Sequence, residues 1–428
     1  MTKRSLARYD SYKDSGVDWL GKVPANWNVV RNKEIFKERN SLSVTGEEML
    51  LTVSHITGVT PRSEKNVNMF LAESNEGYKI CSKGDLVINT MWAWMGALGT
   101  SNHFGICSPA YNVYMPNKNI PYCHRYFDYL YRIPNSVVEM TRNSKGIVSS
   151  RLRLYAKDFF QISTVLPDFE EQQAIADYLD AQTAQIDRKV DLLSQKAEKY
   201  ASLKQALINE TVTRGLDKSA PMKDSGVEWV GQVPVDWEIS AVTNITEIVS
   251  IKNHPDEELL SVYRDYGVII KSDRDDNNNK PSENLAGYKL VEPGFLVINK
   301  MKAWQGSLGV SRYRGIVSPA YITCKVNKKI ERRYLHHLLR CRTYINEYNR
   351  LSYGVRNDQW DMRYDDFKYI PVLIPSLDEQ TRIADYLDGN FSQIERIIET
   401  IYAEIEKLAE LRKTLINDVV TGKIKVSG

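Results

Sequence analysis

The chain repeats itself, and that repetition constrains its fold more than any other property. Residues 13–27 (KDSGVDWLGKVPANW) return at 223–237 as KDSGVEWVGQVPVDW, a shift of 210 residues. The same shift relates GYKICSKGDLVINTMWAWMGALG (77–99) to GYKLVEPGFLVINKMKAWQGSLG (287–309), and GICSPAY (105–111) to GIVSPAY (315–321). Later blocks match at a shift of 208: IADYLD at 175–180 and 383–388, LINETVT at 207–213 against LINDVVT at 415–421. Two copies of one unit therefore fill most of the 428 residues. Length alone suggests two or more domains, and the repeat says where to divide them. A tandem duplication of this size predicts a pseudo-twofold axis and two similar surfaces for an elongated partner.

Two kinds of segment alternate within each copy. The first kind, 28–168 and 238–376, mixes short β-like runs such as GDLVINTMW and GFLVINKMK with glycine and proline breaks, and reads as a compact α/β domain. The second kind reads as one long helix. Asp168 stands three residues before Glu171, and Ser376 three before Glu379, the spacing of a capping box. A heptad follows. Leu179, Ile186, Leu193, Tyr200 and Leu207 recur every seven residues, as do Leu387, Ile394, Ile401, Leu408 and Leu415. Their companion positions are Ala176, Thr183, Val190, Ala197 and Lys204 in copy one, and Ala384, Phe391, Ile398, Ile405 and Arg412 in copy two. A stripe this long wants an apolar partner of equal length. The economical partner is the other copy's helix, packed antiparallel, rather than each helix lying on its own domain. The expected fold is mixed α+β: two tandem α/β domains related by a pseudo-twofold axis, each followed by a long helix, the helices forming an antiparallel coiled coil. The expected divisions are an opening segment 1–27, domain 28–168, helix 169–216, a second opening segment 217–237, domain 238–376, helix 377–421 and a tail 422–428.

Charge follows the same alternation. Residues 28–168 carry 16 Lys+Arg against 12 Asp+Glu, and 238–376 carry 21 against 17, each net +4. The stretch 169–222 holds 7 against 9 and 377–421 holds 5 against 10. A polyanion would be drawn to the domains and held off the helices. No run approaches the roughly 18 apolar residues of a membrane span, and MTKRSLARYDSYKD lacks the apolar stretch of a secretory signal. The five cysteines, Cys81, Cys107, Cys123, Cys324 and Cys341, show no C-x-x-C spacing. They read as reduced thiols, which points to a cytoplasmic chain with no metal.

The copies agree in scaffold and differ in patches. They diverge over 28–76 against 238–286 and over 122–143 against 332–351. What they share is Gly, Trp, Pro, Tyr and apolar residues, such as Trp94 and Trp304 or Ser108-Pro109 and Ser318-Pro319. No histidine is shared, no carboxylate cluster has metal-site spacing in both halves, and no G-x-x-x-x-G-K-[ST] occurs. Nor is there a G-x-G-x-x-G after a strand, or an Asn/Asp-Pro-Pro-Tyr/Phe tetrapeptide. Two duplicated enzyme sites would keep their reactive residues in common. Two binding modules of separate specificity would look like this one, so no catalytic residue is assigned.

The opening motif DSGVxWxGxVPxxW of each copy resembles that of type I restriction-modification specificity subunits. So do LPDFEEQQAIADYLD (166–180) and IPSLDEQTRIADYLD (374–388), each leading into a long helix. The resemblance covers essentially the whole chain; its Lys-, Arg- and His-rich stretches are modest. It implies that each domain is a target recognition domain reading one half of a split sequence in double-stranded DNA. It implies that the helices space the domains and dock two methyltransferase subunits, with restriction subunits completing the complex. S-adenosylmethionine, ATP and Mg²⁺ would belong to those partners and none to this chain. The competing readings are a stand-alone nuclease or methyltransferase, and a coiled-coil assembly scaffold that ignores DNA.

Phosphates call for Lys, Arg and small polar groups, and base edges for Arg, Lys, Asn and Gln. Three patches in each copy qualify. The first is the loop at Arg62, Lys65 and Asn66, with Lys271 and Arg274 as its counterpart. The second is the glycine loop before the last strand, with Lys145, Arg151 and Arg153 in copy one and Arg356, Asn357 and Arg363 in copy two. The third is the strand block, where Lys300 and Lys302 replace Thr90 and Trp92. The tryptophans of that block, Trp92, Trp94 and Trp304, are expected in the core, and the six histidines as ordinary surface or core residues.

Overall fold

The structure is a computed structural model that describes residues 7–65, 74–148, 152–274, 281–354 and 360–426. The chain divides into two compact units, 1–193 with 403–428, and 194–402. Each unit holds one globular domain, the N-terminal part of its own long helix and the C-terminal part of the other's.

In the first unit a four-stranded antiparallel sheet runs in the order Phe36–Glu38, Tyr111–Pro116, Leu86–Asn89, Leu98–Thr100. Its strand Leu86–Asn89 is buried on both faces, which is why LVIN reads as an unbroken apolar run. Leu86 and Ile88 join the main core with Phe36, Tyr114, Phe127 and Phe159. Val87 and Val113 point the other way, under the hairpin of Leu51–Ser54 and Gly58–Pro61. The period of two sorts alternate side chains to opposite faces. Helices His124–Arg132 and Pro134–Arg142 follow, and Ser163–Leu166 pairs with Asn28–Arg31 to close the domain.

The second unit repeats this. Its sheet runs Thr246–Val249, Ile322–Val326, Phe295–Ile298, Leu308–Val310. Leu296 and Ile298 enter its main core, while Val297 packs with Leu260, Val262 and Val268. The named ladders are all antiparallel, so the domains are mixed α+β rather than parallel βαβ units.

The long helices span Phe169–Arg214 and Leu377–Val420, 46 and 44 residues, or roughly 65–70 Å at ~1.5 Å per residue. Gly389 lies within the second without ending it. Asp168 Oδ1 accepts the Glu171 N–H at 2.8 Å, and Ser376 Oγ accepts the Glu379 N–H at 3.3 Å. The reciprocal half of the capping box is replaced. Glu171 Oε2 accepts the indole N–H of buried Trp27 at 2.8 Å, and Glu379 Oε2 that of Trp237 at 3.1 Å. An unpaired buried donor costs about 1–3 kcal/mol, whereas water serves the N–H at an exposed helix start. The carboxylate therefore goes to the tryptophan.

The next residue completes the anchorage. Gln172 accepts the Cys123 N–H at 2.8 Å and donates to the carbonyls of Pro121 and Pro167; Gln380 accepts the Glu331 N–H at 2.9 Å and donates to Pro375. In IADYLD the apolar positions Ile175, Ala176 and Leu179 are fully buried, as are Ile383, Ala384 and Leu387. The two aspartates hold one arginine of the domain. Arg125 reaches Asp177 and Asp180 at 2.6 and 2.5 Å, and Arg333 reaches Asp385 and Asp388 at 2.7 and 3.2 Å. The shared motifs thus weld each helix to its own domain.

Within each unit the two helix segments run antiparallel. In the first, Arg412 pairs with Asp187 and Lys189 with Glu404, and Leu179 shares a core with Val419 and Val420. In the second, Lys204 reaches Glu395 at 2.5 Å and lies 4.7 Å from the Phe391 ring, while Ile208 and Val212 pack with Leu387 and Phe391. The ten stripe residues lie as follows: Leu179, Leu387, Ile394 and Ile401 are buried, and Ile186, Leu193, Tyr200, Leu207, Leu408 and Leu415 are half-buried. Exposed ion pairs contribute at most about 1 kcal/mol each, so the pairs at Lys204 and Arg412 set register more than stability.

Candidate nucleic-acid interface

Each domain carries a rim at the end of its central strand. After Leu86–Asn89 the chain makes a tight turn over Thr90–Gly96, and after Phe295–Ile298 the same turn over Lys300–Gly306. Gly96 and Gly306 close it at φ +83° and +89°, a conformation that costs other L-residues about 1–2 kcal/mol. The Trp94 indole donates to the Met91 carbonyl at 2.9 Å, and Trp304 to Met301 at 3.2 Å. Ala93 and Ala303 are fully buried beneath. The turn is one rigid shape, made twice.

Sequence places the second and third candidate patches far apart; the fold joins them. The Leu154 N–H donates to the Thr90 carbonyl at 3.1 Å and the Met362 N–H to the Lys300 carbonyl at 3.0 Å. The loops holding Lys145 and Arg153, and Tyr353 and Arg363, are thereby tied to the turn, with Lys145 bridged to Arg153 and Tyr353 to Asp361. Lys145 lies 2.8 Å from Asp158 and Lys300 3.4 Å from Asp361. The Arg363 guanidinium stacks 4.8 Å from the Tyr353 ring. Arg153, Lys302 and Arg363 are exposed.

The first patch lies on the neighbouring hairpin. Lys65 Nζ donates to Ser54 Oγ at 2.8 Å, and desolvation lowers its pKa. Arg62 is half-buried and acts electrostatically on Tyr111, whose pKa is raised by burial first. Lys271 is half-buried at the matching place, and Arg274 lies over Tyr263 and Tyr266, 5.4 and 4.9 Å from the ring centres. Asn66, Arg151, Arg356 and Asn357 lie outside the described residues.

The expectation that all three tryptophans sit in the core needs correction. Trp92 is 51% exposed, with Met91 and Met95 exposed beside it; Trp94 and Trp304 are half-buried. The strand ends at Asn89, so alternation no longer governs residue 92. Trp360, which sequence reasoning did not single out, packs 5.5 Å from Trp304; its position after a glycine loop carried no periodic signal. His337 is structural, with Nε2 2.9 Å from Asp388 and its ring against Phe391.

The five cysteines are free and buried, and burial pushes the thiols of Cys81, Cys107, Cys324 and Cys341 up to about 12, far from thiolate at neutral pH. Among the described residues no three His, Cys, Asp or Glu are grouped to hold a metal, and no helix is long and apolar enough to cross a membrane.

A duplicated domain with a cationic and aromatic rim, welded to a helix that pairs antiparallel with its twin, defines a class: tandem two-domain proteins with paired long helices. Comparison with known proteins narrows the class. Residues 234–407 match the family model described as type I restriction modification DNA specificity domain. The specificity subunit of the type I restriction enzyme MjaVIII of Methanocaldococcus jannaschii is 25% identical over 63% of this chain and 64% of that relative, so the match spans just under two thirds of the relative's length. Among solved structures, the HsdS subunit from Thermoanaerobacter tengcongensis shares the fold at a TM-score of 0.56 with 16% identity, covering 94% of this chain and 98% of that one. A chain from a structure titled for complex assembly and conformational transition of the type I R-M system aligns at a TM-score of 0.67 with 16% identity, covering 93% and 98%. Over residues 234–407 the chain is therefore similar to the type I restriction modification DNA specificity domain, and its fold is that of the HsdS subunit.

Proposed function

We propose that the protein is the non-catalytic, sequence-reading subunit of a type I restriction-modification complex in the cytoplasm. Its target recognition domains, 28–168 and 238–376, each read one half of a bipartite duplex target, and the paired helices fix the gap. Two methyltransferase subunits dock on it and restriction subunits complete the assembly, bringing S-adenosylmethionine, ATP and Mg²⁺ sites of their own. The observation that carries this reading is the rim itself. The same turn and the same tied loop recur in both copies, while the side chains they expose differ: Trp92 and Arg153 in one, Lys302 and Arg363 in the other. Conserved frame with altered display is what two readers of different sequences require.

Phosphate contacts would come from Lys145, Arg153 and Arg363, which lie on loops at the rim, and from Arg62, Lys65, Lys271 and Arg274 on the hairpins beside it. Asn66, Arg151, Arg356 and Asn357 belong to the same segments. The test is to assemble the full chain with its methyltransferase subunits and map the methylated positions genome-wide. A split motif with one fixed gap is the expected result. Methylation without sequence preference, or methylation by the purified chain alone, would overturn the reading.

A further inference from the structure

We propose that the turn after the central strand is the base-reading element, and that positions 92 and 95 in copy one and 302 and 305 in copy two decide which base pairs are read. This rests on the DNA-reading function above and adds the chemistry of each half-site.

The turn separates its residues by role. Positions 93 and 303 are buried alanines, 96 and 306 are left-handed glycines, and 94 and 304 are tryptophans bonded back to the turn. Positions 90 and 300 are also committed: the Thr90 hydroxyl donates to the Ala110 carbonyl, and Lys300 pairs with Asp361. What remains is 91, 92 and 95, against 301, 302 and 305. Met91 and Met301 are the same residue and exposed in both copies. The copies part at the other two: Trp92 and Met95 become Lys302 and Gln305.

The exposed set in copy one is wholly apolar and polarisable. On a surface flanked by Lys145 and Arg153, in a domain of net positive charge, its occupant is duplex DNA, and the apolar feature of the major groove is the thymine methyl. Lys302 and Gln305 instead offer donors, and guanine presents two acceptors, O6 and N7, on its groove edge. The copy-one turn therefore faces an A·T pair through its thymine methyl, and the copy-two turn faces a G·C pair.

The test uses the full chain in its assembled complex, with selection from DNA randomised at both half-sites. In W92K/M95Q, the copy-one half-site should lose its A·T preference at one or two positions by about ten-fold or more and gain G·C there, with the copy-two half-site unchanged. K302M should relax the copy-two half-site alone. Both changes fall on the outside of the turn, and equal melting temperatures for variant and wild type establish that the fold is intact. Unaltered selection at both half-sites, or a change in the other half-site, overturns the proposal. If the wild-type complex itself selects no split motif, the DNA-reading function fails instead.

Discussion

Single residues weld helix to domain, and their effects can be ranked. Glu171→Ala leaves the buried Trp27 indole without an acceptor, and it should cost about 2–3 kcal/mol in urea unfolding. Lys189→Ala breaks a pair in which both partners are about half exposed and should cost under ~1 kcal/mol. Asp388 gives a pH signature. Burial pushes its carboxyl up, but His337, Arg333 and Arg312 outweigh that and hold it below the usual carboxylate value. A folded pKa below the unfolded one gives stability that is complete above about pH 4 and is lost as pH falls through the depressed value. The wild-type denaturation midpoint should therefore fall more steeply below pH 4 than that of Asp388→Asn; parallel acid limbs would show that the contacts around Asp388 carry no linkage. At this scale sequence was partly legible. The pairing of Asp168 with Glu171 announced a helix start, but the partner of Glu171 lies 144 residues away, and no local spacing could name it.

At the scale of elements, the heptads were visible because a 3.5-residue repeat sustained over five turns of the pattern has few other readings. Their antiparallel register was open to inference only through the duplication, and its details rest on Arg412 with Asp187 and Lys204 with Glu395. The helix ends carry a constraint that the sequence hides. Gly215 and Gly422 follow the two helices at φ +78° and +75°. A Cβ on Gly422 would lie 2.4 Å from Pro24 and 3.1 Å from Trp27, and one on Gly215 3.0 Å from Glu379 and 3.4 Å from Trp237. Each helix therefore ends against an opening motif, closely packed at Gly215 and with no room for a side chain at Gly422. Gly422→Ala should lower stability by about 2–4 kcal/mol, from left-handed strain and overpacking together, as read by thermal or urea unfolding. The rim was less legible. Its three patches were named from composition, but a hydrogen bond from residue 154 to residue 90 joins segments whose separation in sequence gives no hint of contact. Residue 92 reads as core in the sequence because the apolar run continues past the point where the strand stops.

The whole molecule is two copies that complete each other. The first unit borrows Leu415, Ile416, Val419 and Val420 for its core, and the second uses Leu207, Ile208 and Val212 in the corresponding way. LINETVT and LINDVVT are near-interchangeable, so a fragment ending near residue 220 should pair with itself, its own 207–213 replacing 415–421. Sedimentation should show a dimer, and the assembled complex should then methylate an inverted repeat of one half-site; a folded monomer would refute the helix pairing. The same interdependence makes length a variable that can be set. A seven-residue insertion preserves the heptad seam and adds about 10.5 Å of helix. Placed in both helices at facing positions, it should widen the gap between half-sites by about three base pairs, since duplex DNA rises ~3.4 Å per pair, while both half-site sequences stay as they were. An insertion of four residues in one helix alone breaks the seam and should abolish the fixed gap instead. Methylation mapping reads both variants directly. An unchanged gap after the paired insertion would mean that something other than the helices sets the distance.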